Sequence, residues 1–319
     1  MKKKDTISFH FHLQDLAAQV GSGKMDITCA KNITLSKLTS ELEPGMVNNI
    51  LGMIELHADV LSNSLIPMLE LSLIAADALE KAGDTNGSGE IERNAAQRFF
   101  NIGRSLYLNA MWEAAMDFFL KAKAIFVKHD LPVDEATCKF NCAKVMRKLG
   151  NCKKALLLDE EAKKVYLEKG LEVNAAECDL DSANAWFELG QYLKAIPLYE
   201  DAKKIFLKHS VDIEAAKCDL NLANNLCMLG HQRKAVDIYE HVSTIFTNYG
   251  LEVETAKCRL NLANAFADLG KHQEALVIYE EAKDVFVRHG VKSEVQRCDK
   301  NTLITLRELK ETGDYSKLH

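Results

Sequence analysis

Apolar residues recur along the chain at spacings of three and four, the pattern of a helix with one buried face. One copy of this apolar stripe consists of Ala235, Ile238, Tyr239, Val242, Ile245 and Phe246. The stripe predicts a helix from about Gln232 to Asn248. A second amphipathic helix, from about Glu214 to Leu229, comes before it and ends at Gly230, because glycine commonly terminates helices.

This two-helix unit repeats every forty residues. Cysteine marks the first helix of each copy, at Cys138, Cys178, Cys218, Cys258 and Cys298. Glycine follows that helix in four copies, at Gly150, Gly190, Gly230 and Gly270. Because neither helix can bury its apolar stripe alone, neighbouring units must stack on one another. The repeats therefore predict an all-α chain that is helical from about residue 46 to residue 310.

The centre of each unit resembles the signature of the tetratricopeptide repeat (TPR) family. Its pattern of Leu-Gly, alanine and tyrosine is seen in LGQYLKAIPLYEDA at 189–202 and in LGKHQEALVIYEEA at 269–282. The resemblance covers about residues 93–309, and the forty-residue unit is similar to the repeats of cell-polarity adaptors and of bacterial peptide-pheromone receptors. It implies a right-handed α-solenoid of helix-turn-helix repeats, a general binding scaffold in this family.

The same resemblance divides the chain into four parts. Residues 93–310 are predicted to hold five TPR-like repeats and a last capping helix, although Ala110 stands where the other repeats have glycine. Residues 43–92 are predicted to form a degenerate helical hairpin with a Gly-rich loop. Residues 1–42 have no assigned fold, and residues 311–319 form a C-terminal tail that resembles the start of another second helix.

A polar stripe runs along the first helices beside the buried one. On a helical wheel centred on Leu222, Cys218 and Leu226 lie on the buried stripe, whereas Asn221 and Asn224 fall together on another face. Equivalent positions in the other copies also carry asparagines and cations. An asparagine inside a helix costs about 0.6 kcal/mol relative to alanine, so a row of asparagines indicates a role.

In the TPR family the first helices line a concave groove, so the resemblance places the polar stripe on the groove wall. Members that clamp a peptide's terminal carboxylate carry Asn, Lys or Arg at these positions. An amide both donates and accepts, so a row of amides also suits a peptide backbone. The predicted peptide-binding residues are Asn141, Lys144, Asn184, Lys217, Asn221, Asn224, Lys257, Asn261, Asn264, Arg297 and Asn301. In the alternative, the asparagines are solvated or bond to neighbouring helices and set the superhelix.

Composition and charge narrow the function. The chain has 319 residues, 47% of them apolar, and a formal net charge of −6, so no strong attraction to nucleic acid or membrane is expected. No apolar run is long enough to span a bilayer, and the N-terminus lacks a signal-peptide pattern. Nine cysteines without a Cys-x-x-Cys pair indicate reduced thiols in a cytoplasm, with the cysteine column packing as small apolar side chains.

One stretch suggests a metal site. DTNGSGEIE follows the spacing of a calcium-binding EF-hand loop, with Asp84, Asn86, Ser88 and Glu92 as side-chain ligands. The twelfth position is Ala95 instead of the bidentate glutamate, which removes the strongest ligand. The stretch therefore predicts weak calcium binding at most, and a polar Gly-rich connection is the alternative. No other cofactor is indicated.

These observations predict a protein–protein interaction adaptor that binds an extended peptide segment of a partner in the groove. A self-assembling scaffold, and hence a homo-oligomer, is one alternative, and a regulatory receptor for a short peptide is another. The sequence contains no phosphate-binding loop, nucleophile elbow or metalloprotease motif, so we do not expect an enzyme.

Overall fold

The computed structural model describes residues 85–311, which form eleven α-helices and no strand. The helices are α1 (Thr85–Leu108), α2 (Trp112–Lys128), α3 (Pro132–Lys148), α4 (Cys152–Glu168), α5 (Glu172–Glu188), α6 (Tyr192–Lys208), α7 (Asp212–Met228), α8 (Gln232–Asn248), α9 (Glu252–Asp268), α10 (His272–Arg288) and α11 (Lys292–Glu311). The segment 1–42, most of the hairpin at 43–92 and the tail beyond residue 311 lie outside the described residues.

The chain divides into two compact units, residues 1–149 and residues 150–319. The first contains α1 to α3, and the second contains α4 to α11. Within each unit, every helix packs against the next one along the chain. Each unit is therefore a tandem stack of helices, and the predicted all-α solenoid of TPR-like repeats is confirmed. The predicted helix 232–248 matches α8, and the predicted helix 214–229 differs from α7 by two residues or fewer at each end.

Helices α1 to α10 are each followed by a tight turn that contains a residue with left-handed backbone geometry. At the end of α5, Gly190 has φ 70°, and the backbone N–H of Gln191 donates to the carbonyl of Trp186 at 2.9 Å. This six-to-one bond is the Schellman arrangement that satisfies the last carbonyls of a helix. Glycine adopts this geometry without a Cβ clash, which explains the glycine column of the sequence.

Three turns adopt the same geometry without glycine. Ala110, Asp130 and Ser210 have φ values of 58°, 51° and 57°. Ala110 therefore forms the same turn as the glycines of the other copies, at a steric cost of about 1–2 kcal/mol for a residue with a Cβ atom. The departure from the repeat pattern changes the stability of the turn and not its shape.

The core of each repeat comes from the second helix and the cysteine column. Tyr239, Val242 and Phe246 of α8 are buried and pack with Cys258 of α9. The described cysteines carry free thiols, and all of them are buried except Cys227, which is partly buried. Burial raises the pKa of the Cys218 thiol to about 12, so that thiol stays protonated and packs as a small apolar group.

Candidate functional site

The polar stripe of the second unit forms two rows of asparagines on the first helices. We call Asn184, Asn224 and Asn264, on α5, α7 and α9, the inner row. We call Asn221, Asn261 and Asn301, on α7, α9 and α11, the outer row. All six side chains are partly buried. Each outer-row residue follows an inner-row residue of the preceding repeat by 37 positions.

Each inner-row asparagine accepts two hydrogen bonds at its carbonyl oxygen. The Tyr239 hydroxyl donates to Asn224 Oδ1 at 2.7 Å, and Asn261 Nδ2 donates to the same oxygen at 3.0 Å. The tyrosine lies in the second helix of the same repeat, and the donating asparagine lies in the first helix of the next. One oxygen therefore ties three helices together.

The same triad recurs in the neighbouring repeats. Asn184 Oδ1 accepts from the Tyr199 hydroxyl at 2.9 Å and from Asn221 Nδ2 at 3.0 Å. Asn264 Oδ1 accepts from the Tyr279 hydroxyl and from Asn301 Nδ2, both at 2.7 Å. The amide rows thus bond consecutive first helices to one another. This is the alternative that the sequence left open, and it accounts for asparagine at these helix positions.

The bonding between repeats leaves hydrogen-bond groups unused. Within residues 85–311, the Nδ2 groups of Asn184, Asn224 and Asn264 donate to no protein atom. The predicted contact of these asparagines with a peptide therefore stays a prediction. It is compatible with the hydrogen bonds between the inner and outer rows. A residue can serve both roles because an amide has separate donor and acceptor atoms.

The cations of the stripe are already paired. Lys217 Nζ lies 2.9 Å from Glu214 Oε1. Lys257 Nζ lies 4.0 Å from Glu254 Oε1. Arg297 lies 3.3 Å from Glu294, and its second guanidinium nitrogen donates to Asn261 Oδ1 at 2.9 Å. Each cation is thus neutralised by a glutamate one turn earlier on its own helix, although nearly half of each cationic side chain remains exposed to solvent.

A cleft of about 290 Å³ opens at the last described turn of the stripe. Asn264, Arg297 and Asn301 line it together with Ile304 and Glu308. Burial is the main reason that the pKa of the nearby Tyr279 hydroxyl rises to about 12, so the hydroxyl remains a donor at neutral pH. Three predicted site residues therefore share one concave surface.

The two predicted site residues of the first unit, residues 1–149, make different contacts. Asn141 Nδ2 donates to the Thr137 carbonyl of its own helix at 2.8 Å. Lys144 Nζ lies over the rings of Tyr107 and Phe140, 5.5 and 5.2 Å from their centroids. Neither residue takes part in a tyrosine–asparagine triad.

The tyrosine hydroxyls are the part of the site that sequence reasoning missed. A signal for them is present within the chain itself. Each inner-row asparagine is followed fifteen residues later by tyrosine, whereas Lys144 replaces asparagine in an earlier copy and is followed by Asp159. The joint change of both positions indicates that tyrosine and asparagine function as a pair.

Histidine recurs eighty residues apart at the C-terminal ends of three second helices, as His129, His209 and His289. His209 caps the C-terminal end of α6, and its Nε2 lies 2.9 Å from Glu172 Oε2 at the start of α5. His289 and Glu252 repeat this contact at 2.9 Å, and His129 and Glu92 repeat it at 2.6 Å. Pairing with Lys208 and His209 lowers the pKa of the exposed Glu172 carboxyl. These histidines are structural, in agreement with the helix-end position.

The stretch predicted to bind calcium is helical where the structure describes it. Residues 85–92 belong to α1 rather than to a loop, which corrects the expected connection. Ser88 is buried, and Glu92 bonds to Lys128 Nζ at 2.8 Å and to His129. The backbone of an EF-hand ligand loop is not helical over its first eight positions, whereas the backbone is helical from Thr85, so this stretch does not form such a loop. The side chains of Asp84 and Asn86 lie outside the described residues, and calcium binding itself stays a prediction.

Two further features bear on the kind of site. Within residues 85–311, no three His, Cys, Asp or Glu side chains are grouped as metal ligands. None of the helices described there has the length and the apolar character needed to cross a membrane.

Similar solved structures share the fold at low sequence identity. Aspartyl phosphate phosphatase F from Bacillus subtilis is 12% identical, with a TM-score of 0.62 over 96% of this chain and 86% of its own. The Rap conjugation gene regulator of plasmid pLS20, solved with the Phr* peptide, is 14% identical, with a TM-score of 0.59 over 96% and 87%. BtubC (BKLC) from P. vanneervenii is 18% identical, with a TM-score of 0.55 over 70% and 92%.

Family models identify both the repeat and the family. A tetratricopeptide repeat model matches residues 214–286. A model described as soluble NSF attachment protein, SNAP, matches residues 75–248, which is more than half of the chain. No curated protein sequence matches the chain. The chain is therefore built of tetratricopeptide repeats and belongs to the soluble NSF attachment protein family.

Proposed function

We propose that this protein is a protein-interaction adaptor that holds an extended segment of a partner protein against the amide rows of its second unit. The observation that carries the proposal is the set of unused Nδ2 donors on Asn184, Asn224 and Asn264, one in each of three consecutive repeats. A row of donors at regular spacing suits a chain that runs along the stack, because a main chain offers acceptors at regular intervals.

Membership of the family and the shared fold support a binding role. The family description names attachment to NSF. A structure with the same fold was solved with the Phr* peptide bound. The many free thiols suit a reducing, cytoplasmic setting. A regulatory receptor for a short peptide would use the same surface, so we treat it as a special case of the same binding mode.

Self-assembly is the second candidate, and α11 gives it a specific basis. Leu303 of α11 is 59% exposed, whereas the equivalent Ala263 of α9 is fully buried under the next helix pair. Yet Lys300 stands in α11 where buried Leu260 stands in α9, and an exposed lysine opposes close stacking of a second copy. The adaptor role is therefore favoured.

Bulky substitutions on exposed positions test where the partner binds. Met228 and Ile304 lie on the polar stripe and are 56% and 43% exposed. The double change Met228→Arg and Ile304→Arg should weaken binding at least tenfold, since about 1.4 kcal/mol of lost contact corresponds to a factor of ten. The probe is a 12-residue peptide recovered from a random-sequence library on the wild-type chain, and its affinity is measured by fluorescence anisotropy.

A matched control places the same charge and bulk elsewhere. Leu193 and Val277 lie on the second helices α6 and α10 and are 75% and 60% exposed. Changing both to arginine should leave the affinity unchanged, because neither residue lies on the polar stripe. The proposal fails if the control weakens binding while the Met228/Ile304 variant does not, or if the wild-type chain retains no peptide from the library.

A further inference from the structure

Two helical hairpins of the second unit close through a carboxylate that contacts two cationic side chains. In the hairpin of α5 and α6, Glu172 at the start of the first helix contacts Lys208 and His209 at the end of the second. Glu252 repeats this arrangement with the arginine and the histidine that end α10, at 3.5 and 2.9 Å. Each glutamate therefore has its counter-ions within its own hairpin.

The hairpin of α7 and α8 keeps the carboxylate but has neutral residues in place of both cationic side chains. Asp212 stands at the position of the two glutamates, and Asn248 and Tyr249 stand at the positions of the cation and the histidine. The Tyr249 hydroxyl donates to Asp212 Oδ2 at 2.7 Å. Among residues 85–311, no lysine, arginine or histidine forms an ion pair with Asp212. Because an aspartate carboxylate is ionised at neutral pH, this hairpin retains an uncompensated negative charge.

The uncompensated carboxylate lines a cleft between the second helices α6 and α8. The volume of the cleft is about 310 Å³, at the lower end of the range for ligand sites. Leu207, Ile245 and Tyr249 form its apolar walls, and the small side chains of Ala215 and Ala216 line it from α7. Leu207 and Tyr249 are 52% and 49% exposed. The cleft therefore presents an open apolar surface beside a negative charge.

The other charged groups of this cleft do not compensate the charge of Asp212. Lys203 and Asp219 both line the cleft, and they pair with each other at 2.7 Å. His241 is exposed on α8 and forms no ion pair with Asp212 within the described chain. The charge of Asp212 is thus available to a ligand.

The equivalent cleft of the next repeat is lined by an arginine of the chain itself. This cleft lies between α8 and α10, has a volume of about 340 Å³, and is lined by Arg259, Glu281 and Glu252. The Arg259 guanidinium pairs with Glu281. A cleft of this kind therefore accommodates an arginine side chain. In the cleft between α6 and α8, Asp219 stands at the position of Arg259, so that cleft has no arginine of its own.

We propose that the cleft between α6 and α8 binds an arginine side chain of a partner protein, with the Asp212 carboxylate as counter-ion and the Tyr249 ring as one wall. A guanidinium suits this site better than an ammonium, because it pairs with a carboxylate through two N–H groups and stacks on an aromatic ring. The arginine methylene groups contact Leu207 and Ile245. The site lies apart from the polar stripe and does not depend on the proposed function.

Titration of the ¹⁵N-labelled full-length chain with N-acetylarginine methylamide, followed by NMR, tests the site directly. The backbone signals of Asp212, Ile245 and Tyr249 should shift saturably at millimolar concentrations of this probe. The citrulline analogue, which has the same shape without the charge, should leave them in place, and the lysine analogue should bind severalfold more weakly. Equal shifts with arginine and citrulline, or arginine shifts confined to other parts of the chain, would overturn the inference.

An isosteric pair of substitutions tests the counter-ion. Asp212→Asn removes the charge but keeps an acceptor for the Tyr249 hydroxyl, so the melting temperature should change little. The affinity for the arginine probe should fall about fivefold, the loss expected for one partly exposed ion pair. Glu252→Gln is the matched control in the next hairpin and should leave the affinity unchanged. An equal loss in both variants, or a loss in neither, contradicts the assigned counter-ion.

A second variant uses an ending that the chain already contains. Asn248→Lys combined with Tyr249→His gives α8 the Lys-His ending of α6, so the fold should be retained, as checked by the melting temperature. Asp212 is then paired within its own hairpin, and binding of the arginine probe should be lost. Full retention of binding would show that Asp212 does not hold the guanidinium.

A last probe identifies the source of the guanidinium. Free arginine should bind no more tightly than the capped probe, because a side chain of a protein enters the cleft without charged α-amino and α-carboxyl groups. Tighter binding of free arginine would assign the cleft to the amino acid and contradict the proposed protein partner. The Met228/Ile304 variant should bind the capped probe as the wild type does, since neither residue lines this cleft.

Discussion

Helices α7 and α9 are nearly the same sequence, forty residues apart, and their comparison separates what the repeat requires from what it tolerates. The stretches 216–230 and 256–270 share both asparagines of the polar stripe, the buried cysteine and the closing Leu-Gly. The shared asparagines make the same bonds, since Asn224 and Asn264 each accept from a tyrosine hydroxyl and from the next outer-row amide. The inner-row asparagines thus make the same contacts in both repeats, whereas Asn261 of the outer row also accepts from Arg297.

The positions that differ between α7 and α9 change the charge beside the shared asparagines. Asp219 in α7 pairs with Lys203 of the preceding helix at 2.7 Å. Arg259, its counterpart in α9, pairs with Glu281 of the following helix. The Arg259–Glu281 pair is partly exposed and contributes little to stability, whereas Asp219 of the other pair is buried. The amide rows are therefore kept while the direction of the neighbouring salt bridge reverses.

The largest stability difference between the two helices is expected at Asn225. This side chain is completely buried, and neither its Nδ2 nor its Oδ1 atom has a partner, whereas α9 has Ala265 at the same position. A buried amide without hydrogen bonds costs about 1–3 kcal/mol. Asn225→Ala should therefore raise the free energy of unfolding by about 1 kcal/mol after a small cavity term, as measured by urea denaturation.

The reciprocal substitution makes the comparison stringent. Ala265→Asn should lower the free energy of unfolding by about 2 kcal/mol or more, because it adds an unpaired amide to a filled site. Asn221→Ala serves as the control for helix propensity, since its gain in propensity is offset by loss of the bond to Asn184. If Asn225→Ala destabilises the chain, the amide must have a partner that the bonding pattern does not reveal.

A smaller difference is expected at the turns that precede the two helices. Ser210 precedes α7 with φ 57°, and Gly250 precedes α9 with φ 69°. Nothing lies within 4 Å of a Cβ atom built on Gly250, so the penalty for a side chain there comes from the backbone alone. Ser210→Gly should stabilise the chain by about 1 kcal/mol, and Gly250→Ser should destabilise it by a similar amount. Equal melting temperatures in the two variants would refute this account of the turns.

Sequence periodicity predicts most of the described fold because apolar spacing and helix termination are local properties. Gly230 and the stripe of α8 are sufficient to place a helix pair within two residues of its observed position. For the stretch 84–92, the glycines and the ligand-like spacing predict a loop. Packing decides otherwise, because Ser88 and Glu92 are buried in a helix.

The bonds within the site are less accessible from sequence. The helical wheel groups Asn221 with Asn224, but a wheel describes one helix and the bonds connect three. Tyr239 belongs to the apolar stripe of its own helix, so the pattern of that helix alone does not indicate a polar partner for its hydroxyl. Asn225 resembles its neighbour Asn224 in sequence, yet the two differ completely in bonding. Only the stacking of helices determines which asparagine meets a donor.

The hydrogen bonds of the inner row also reverse the stability effect that helix propensity predicts for substitution of its asparagines by alanine. From helix propensity alone, Asn224→Ala and Asn264→Ala should slightly stabilise the chain. In the structure each change removes an oxygen that accepts two hydrogen bonds, so both changes should destabilise it. Aspartate, which keeps those bonds, is therefore the informative substitution for the inner row.

The most direct test of the central claim is to follow the inner-row amides while a peptide binds. In ¹⁵N-labelled full-length chain, the side-chain NH2 signals of Asn184, Asn224 and Asn264 are recorded by NMR before and after addition of the library-selected 12-residue peptide. The proposed function predicts that all three signals shift at saturation, with backbone signals around Leu193 and Val277 unchanged. If the peptide binds and the three side-chain signals stay in place, the amide rows hold the repeats together and do not bind the partner.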